Sequence, residues 1–191
     1  MSYLVNAASF LLGLACDLVV VLLLVRIAAE ACRADFYNPL SQLIYRYTNP
    51  VLAPIRRVLP NWRRLNLAAL LLAWAVLILK RLLLFALLGV MPRVSGLLLL
   101  ALADLLDFVL LFYIVLVFGW SLLSMFSANR RQPLLRLAEC IVTPLLHPLR
   151  GKLIAGNIDF APMVVLIALF LARILVSAPL LDLGTRLALG A

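Results

Sequence analysis

"YNPLSQLIYRYTNPVLAPIRRVLPNW", Tyr37–Trp62, sets prolines and arginines between two long runs of leucine, alanine and valine. Its reading decides the fold, because the segment is either a loop joining two buried helices or a structure of its own beside a membrane. The chain has 191 residues, is 66% hydrophobic and only 13% charged, and has a mean hydropathy of +1.17. The flanking apolar runs exceed the about 18 residues that match a ~30 Å hydrocarbon core. One soluble core in a chain of this size could not hide so much apolar surface, and the excess would form aggregating patches. The chain therefore reads as an integral membrane protein.

The same segment recurs. "RQPLLRLAECIVTPLLHPLRGKLI", Arg131–Ile154, repeats it at an offset of 94. Pro39, Leu40, Leu43, Pro50, Leu52, Pro54 and Arg56 correspond to Pro133, Leu134, Leu137, Pro144, Leu146, Pro148 and Arg150. After a one-residue deletion the offset becomes 93, pairing "LNLAAL" from Leu65 with "IDFAPM" from Ile158, and Lys80 with Arg173. The duplication thus covers helix, motif and helix. Four spans are predicted, at about 3–28, 66–91, 97–127 and 160–181. Two spans per repeat return the chain to its starting side, so the repeats are parallel: residues 1–94 with a motif at 36–60, and residues 95–191 with a motif at 130–154. The predicted fold is an all-α membrane protein of four transmembrane helices in two parallel helix-motif-helix repeats, each with a cytoplasmic interfacial pair of amphipathic helices.

Within the motif, Asn38 followed by Pro39 is a helix start, with Asn as cap and Pro at the first helical position, where its missing N–H is harmless. Leu40, Leu43, Ile44 and Tyr47 then fall at i, i+3, i+4 and i+7, as do Leu134, Leu137, Ala138 and Ile141 in the second copy. Pro50 and Pro144 are predicted to end these helices, with Asn49 or Thr143 as a new cap and a second short helix starting near Pro54 or Pro148. Such helices lie in the membrane interface with Arg46, Arg56, Arg57, Arg136, Arg150 and Lys152 among anionic phospholipid head groups. A re-entrant hairpin is the alternative, opposed by the cost of burying Arg56, Arg57, Arg150 and Lys152.

Charge sets the orientation. Arg26, Arg33, Arg46, Arg56, Arg57, Arg63 and Arg64 lie between the first two spans, and Arg130, Arg131, Arg136, Arg150 and Lys152 between the last two. The other side shows Arg93 and Arg186. The positive-inside rule then places both motifs in the cytoplasm and both termini outside. This also explains the net charge of +9 without a nucleic-acid partner, for which no binding module is present. The apolar Tyr3–Val25 run is read as a retained span, since no Lys or Arg precedes it and it is longer than the about 7–15 residues of a signal h-region.

Six ionisable residues fall inside the spans: Asp17, Lys80, Arg81, Asp104, Asp107 and Arg173. A midplane charge costs at least ~2.5 kcal/mol on insertion scales, so these groups should turn inward and pair. Either they hold the repeats in register or they line an ion or proton path. No metal, cofactor or catalytic site is expected. Cys16, Cys32 and Cys140 are far apart without a C-x-x-C pair, and a dithiol site is unexpected from their spacing. His147 stands between prolines with no nucleophile nearby, and no constellation suggests an enzyme.

The residues "FYNPLSQLIYRYTNPVLAPIRRVLP", the second copy "RQPLLRLAECIVTPLLHPLR" and the following "IDFAP" resemble the duplicated motif of the YggT family of bacterial inner-membrane proteins, over nearly the whole chain. "NWRRLN" departs from that family's glycine and aspartate after the first motif, whereas Asp159 keeps the aspartate in the second. The resemblance implies a non-enzymatic multi-pass protein of the bacterial inner membrane. Its family is associated with osmotic tolerance and potassium uptake, and related members with membrane-complex assembly, nucleoid distribution or cell division. Two functions follow as expectations. In one, the paired motifs organise lipid, a membrane-complex partner or a second copy in a homo-oligomer; in the other, an oligomer conducts or transports potassium.

Overall fold

The structure is a computed structural model that describes residues 2–34, 38–59, 65–126, 132–149, 151–155 and 158–190. Arg63, Arg64, Arg130, Arg131 and Arg150, which carry part of the basic count and one of the head-group assignments, lie outside the described residues. Three spans are single helices, α1 (Ser2–Ala31), α3 (Leu67–Leu87) and α4 (Val94–Phe126). The fourth joins α6 (Ala161–Ala172), one π-helical turn (Arg173–Ser177) and α7 (Ala178–Leu189). The motif helices are α2 (Pro39–Val58) and α5 (Pro133–Leu146), and a two-residue antiparallel hairpin, β1 (Ile154–Ala155) with β2 (Ile158–Asp159), leads into α6. All four long helices are apolar enough to cross a membrane. The chain is a multi-pass all-α protein of two helix-motif-helix repeats.

Each repeat packs its first span on its last, α1 on α3 and α4 on α6 and α7, while α3 against α4 joins the repeats. The first core combines Val20, Leu23 and Leu24 of α1 with Leu52 of α2, the small residues Ala68, Ala69 and Ala73 of α3, and Ala101 and Leu105 of α4. The second repeat gathers Val117, Val142, Leu146, Ala161 and Val165. Between them, Ala28 and Ala29 of α1 meet Ile44 of α2 and Leu137 and Ile141 of α5, so the two motifs share one layer at one end of the bundle.

The fourth span runs to Leu189, past the predicted end near residue 181. Small residues explain the extension. A Cβ at Gly96 would collide with the backbone of Ala188, and one at Gly184 would press on the backbone of Leu100, so α4 and α7 touch main chain to main chain. The Arg93 N–H donates to the Ala188 carbonyl at 2.9 Å and pins the last turn.

The predicted pair of short helices in each motif is not what forms. In the first motif α2 runs unbroken through Pro50 and Pro54 to Val58. In the second, α5 passes through Pro144, stops at Leu146 and gives way to turns around Gly151 (φ 83°) rather than to a second helix. An internal proline removes one helical hydrogen bond and costs roughly 3 kcal/mol. In α2 that penalty is offset by anchoring on both sides of Pro50: Ile44 and Leu52 are buried, and the side chains of Thr48, Asn49 and Arg56 bond to α1.

Candidate functional site

The motif layer begins at Asn38. Its Oδ1 accepts from the Leu40 N–H at 3.0 Å, capping α2, while its Nδ2 donates to the Pro133 carbonyl at 2.8 Å. One side chain therefore starts the first motif helix and ties it to the first residue of the second. Gln132, at the same place in the second copy, makes no side-chain cap bond, so the tie is one-sided.

The anchor of α2 on α1 is a polar cluster that the sequence reading missed. Arg26 is 1% exposed, yet its guanidinium donates to Glu30 Oε1 at 2.8 Å, to Asn49 Oδ1 at 3.0 Å and to Thr48 Oγ1 at 3.4 Å. It also lies 3.3 Å from the centre of the Tyr45 ring, close enough for a cation–π contact. Burial, and then the nearby Glu30, push the Tyr45 phenol above its ordinary pKa. Glu30 also accepts from Arg56 Nη2 at 2.6 Å. Arg56 is thus turned toward α1 rather than toward a head group. The available signal was Arg26 and Glu30 at i, i+4 in the last turns of an apolar span, a spacing that places both on one face.

The exposed faces of α2 follow from helical geometry. Ser41, Ile44, Thr48 and Leu52 are buried in the protein. Leu43, Tyr47 and Val51 are exposed at 52%, 65% and 52%. Arg46 and Arg57 are exposed on a third face. At roughly 100° per residue the exposed apolar face lies about 105° from the protein face and about 90° from the basic face, which is turned about 165° from the protein. The predicted apolar stripe is therefore split: Ile44 belongs to the protein, whereas Leu43 and Tyr47 look outward. In the second copy Arg136, Lys152 and Pro148 are exposed.

Asn66 and Asp159, related by the offset of 93, both bond the start of the following span, Asn66 as the cap residue of α3 and Asp159 from one residue before Phe160, the cap position of α6. Asp159 Oδ1 accepts from Ala161 N–H at 2.9 Å, and Asn66 Oδ1 from Ala69 N–H at 3.0 Å, so each starts the span that follows its motif. Asn66 supplies the oxygen at the position where the aspartate is missing.

The six intramembrane charges form three separate direct ion pairs. Lys80 meets Asp17 at 2.5 Å across α1 and α3. Arg81 grips Asp104 through two bonds of 2.6 Å across α3 and α4. Arg173 grips Asp107 through two bonds of 2.8 Å, and Ser177 adds a third at 2.8 Å. Lys80 and Arg173 are related by the offset of 93, and Asp17 and Asp107 by 90, about one helical turn from the motif's 94. The first and last pairs therefore play the same part in each repeat, joining its two spans. The Arg81–Asp104 pair has no counterpart and joins the repeats.

Ser177 was not predicted. The π-helical turn brings it and Arg173 onto the same carboxylate, and the Ala178 N–H reaches back to the Arg173 carbonyl just before Pro179, which has no N–H to give. A serine four residues after a charged residue in an apolar span was its only trace.

The structure brings two of the three cysteines together at the motif end of the bundle. Cys140 Sγ donates to the Cys32 carbonyl at 3.1 Å, and the two residues line an open cleft together. Among the described residues no group of three or more metal-ligating side chains forms.

Comparison with known proteins places these features in a lineage. The model of the CCB3/YggT family matches residues 5–87 and 99–180, one segment in each repeat. The uncharacterised protein YggT of Escherichia coli K12 is 33% identical over 189 residues, covering 95% of both chains. A Vibrio alginolyticus protein encoded in the region 3′ of proC is 34% identical over 175 residues, 89% of this chain and 93% of that one. The uncharacterised protein PA0392 of Pseudomonas aeruginosa is 34% identical over 180 residues, 90% of this chain and 88% of that one. No solved structure matches.

Proposed function

The chain belongs to the CCB3/YggT family, and we propose that it is a non-enzymatic organiser of the bacterial inner membrane, its two motif helices gripping the cytoplasmic surface and offering a platform to partner proteins. One observation carries this reading: α2 divides into a protein face, an exposed apolar face of Leu43, Tyr47 and Val51, and an exposed basic face of Arg46 and Arg57. A helix held sideways against a bundle in that way suits the lipid boundary, with apolar side chains among acyl chains and guanidiniums among phosphates. Both motifs then face the cytoplasm and both termini the periplasm, in keeping with the basic residues of the motif side. The anionic-lipid contacts fall to Arg46, Arg57, Arg136 and Lys152; Arg56 is left out because it bonds Glu30.

The test is anionic-lipid retention by the full chain in phosphatidylglycerol/phosphatidylethanolamine nanodiscs, read by native mass spectrometry. Each basic group near an anionic surface is worth about 1 kcal/mol, so an R46Q/R57Q/R136Q/K152Q variant should lose most of the phosphatidylglycerol retained by the parent. Unchanged retention by a folded quadruple variant would sink the proposal.

Potassium transport by an oligomer is the second reading, and the intramembrane ion pairs are the observation that bears on it. Every one of the six groups is bonded to a partner of opposite charge, an arrangement suited to holding helices in register. Proteoliposome potassium flux above that of empty vesicles, and reduced by Asp107→Asn, would favour transport instead. A contribution to osmotic tolerance is compatible with either activity and would appear as a growth defect of a deletion strain in high salt.

A further inference from the structure

Cys32 and Cys140 are 108 residues apart, in different repeats, and meet at the motif end of the bundle. The Cys140 thiol donates to the Cys32 carbonyl at 3.1 Å, and the Cys32 thiol to the Ala29 carbonyl at 3.6 Å. Both side chains are half-buried and border a cleft of about 590 Å³ shared with Arg33, Arg136 and Glu139. Cys32 lies just beyond the end of α1, in a turn closed by Arg33 in the left-handed region (φ 55°) and by the N–H groups of Cys32, Arg33 and Ala34, which donate back to the last turn of α1. We propose that Cys32 and Cys140 are a site of reversible disulfide formation, written by a small disulfide entering this cleft and tying the end of α1 to the second motif helix.

The chemistry balances as two thiol–disulfide exchanges. The Cys140 thiolate attacks a low-molecular-weight disulfide RSSR, forming a Cys140–SR bond and releasing one RS⁻. The Cys32 thiolate then attacks the Cys140 sulfur, forming the Cys32–Cys140 bond and releasing the second RS⁻. The two cysteine protons leave with these groups as two RSH; the protein is oxidised by two electrons and RSSR is reduced. Arg33 and Arg136 outnumber Glu139 along the cleft, and the resulting positive charge draws an anionic disulfide such as glutathione disulfide.

The order of attack follows from the surroundings. Burial, and next the hydrogen bond shared with Cys140, push the Cys32 thiol up to about 12, so Cys32 is the poorer first nucleophile. Once Cys140 carries the mixed disulfide, its sulfur no longer donates to the Cys32 carbonyl. The disulfide then sits on the sulfur that lay 3.1 Å from the Cys32 carbonyl, so that proximity replaces acidity as the driving factor for Cys32.

The finished bond would link the repeats in the motif layer, adding a covalent tie to the Asn38–Pro133 hydrogen bond and to the packing of Ala28, Ala29, Ile44, Leu137 and Ile141. This inference does not depend on what the motif layer binds.

The experiment uses the full wild-type chain in phosphatidylethanolamine/phosphatidylglycerol vesicles, treated with glutathione disulfide, quenched with N-ethylmaleimide and analysed by peptide mass spectrometry. The expected product is an intrachain Cys32–Cys140 peptide at least tenfold above the mixed disulfide, reversed by dithiothreitol, with Cys16 still alkylated. Cys32→Ser should accumulate glutathione on Cys140. The proposal is overturned if wild-type Cys140 stays glutathionylated beside an alkylated Cys32, if both thiols remain free while Cys16 reacts, or if the bond joins separate chains.

Discussion

Removing the Glu30 carboxylate should detach α2 from α1. In Glu30→Ala the Arg26 guanidinium, 1% exposed, keeps Asn49 and Thr48 but loses the only carboxylate bonded to it among the described residues. Breaking a buried pair from one side costs about 3–5 kcal/mol, because the remaining charge is stranded in a poor solvent. Two neutral acceptors remain and the Tyr45 ring still faces Arg26, which places the loss near ~3 kcal/mol. Arg56 adds little, about 0–1 kcal/mol, since its side chain is 30% exposed and can turn to water. The double variant Arg26→Met/Glu30→Ala removes both charges and replaces the stem with apolar volume. It should return to within ~1 kcal/mol of the parent, about 2 kcal/mol more stable than Glu30→Ala alone. Unfolding in mixed micelles followed by circular dichroism measures all four corners of the cycle, and amide exchange should rise across residues 44–56 in Glu30→Ala. A Glu30→Ala loss under ~1 kcal/mol, or a double variant as unstable as the sum of the singles, would refute the assignment of Arg26–Glu30 as the anchor.

Further expectations concern the helix contacts. Gly96→Ala should destabilise by about 1–3 kcal/mol, since its Cβ meets the Ala188 backbone, whereas Gly119→Ala, with nothing within 4 Å, should be neutral or gain up to ~1 kcal/mol; thermal unfolding of the two variants compares them. Asp107→Asn should cost more than Ser177→Ala, for which about 1.5–3 kcal/mol is expected from one hydrogen bond to a charged group; chemical unfolding in micelles orders the two. Asn38→Ala should lose about 1 kcal/mol from the cap and also loosen the two motifs, read as increased amide exchange at both Leu40 and the start of α5.

The membrane class, the four spans and the duplication were legible because they are carried by local features: apolar run length, proline spacing and the positions of arginines. Motif starts at Asn38–Pro39 and Pro133 were legible for the same reason, as capping is decided within one turn. The continuity of α2 through Pro50 and Pro54 was not. Proline reports only the lost bond, whereas the compensating contacts come from Arg26, Glu30 and Leu24, which lie on another helix. The bond from Arg56 to Glu30 was not legible, because its partner acid stands 26 residues earlier.

Sequence alone determined that this chain spans a membrane twice per repeat and carries two basic amphipathic motifs, since the bilayer imposes its thickness on each segment independently. Tertiary structure alone decided the partners: Asp17 with Lys80, Arg81 with Asp104, Asp107 with Arg173 and Ser177, Glu30 with two arginines, and Cys32 beside Cys140. Such choices depend on how helices rotate and slide when small residues such as Gly96, Gly184 and Ala73 let their backbones approach. Three acids and three bases within the spans admit several neutral pairings, and packing selects one of them.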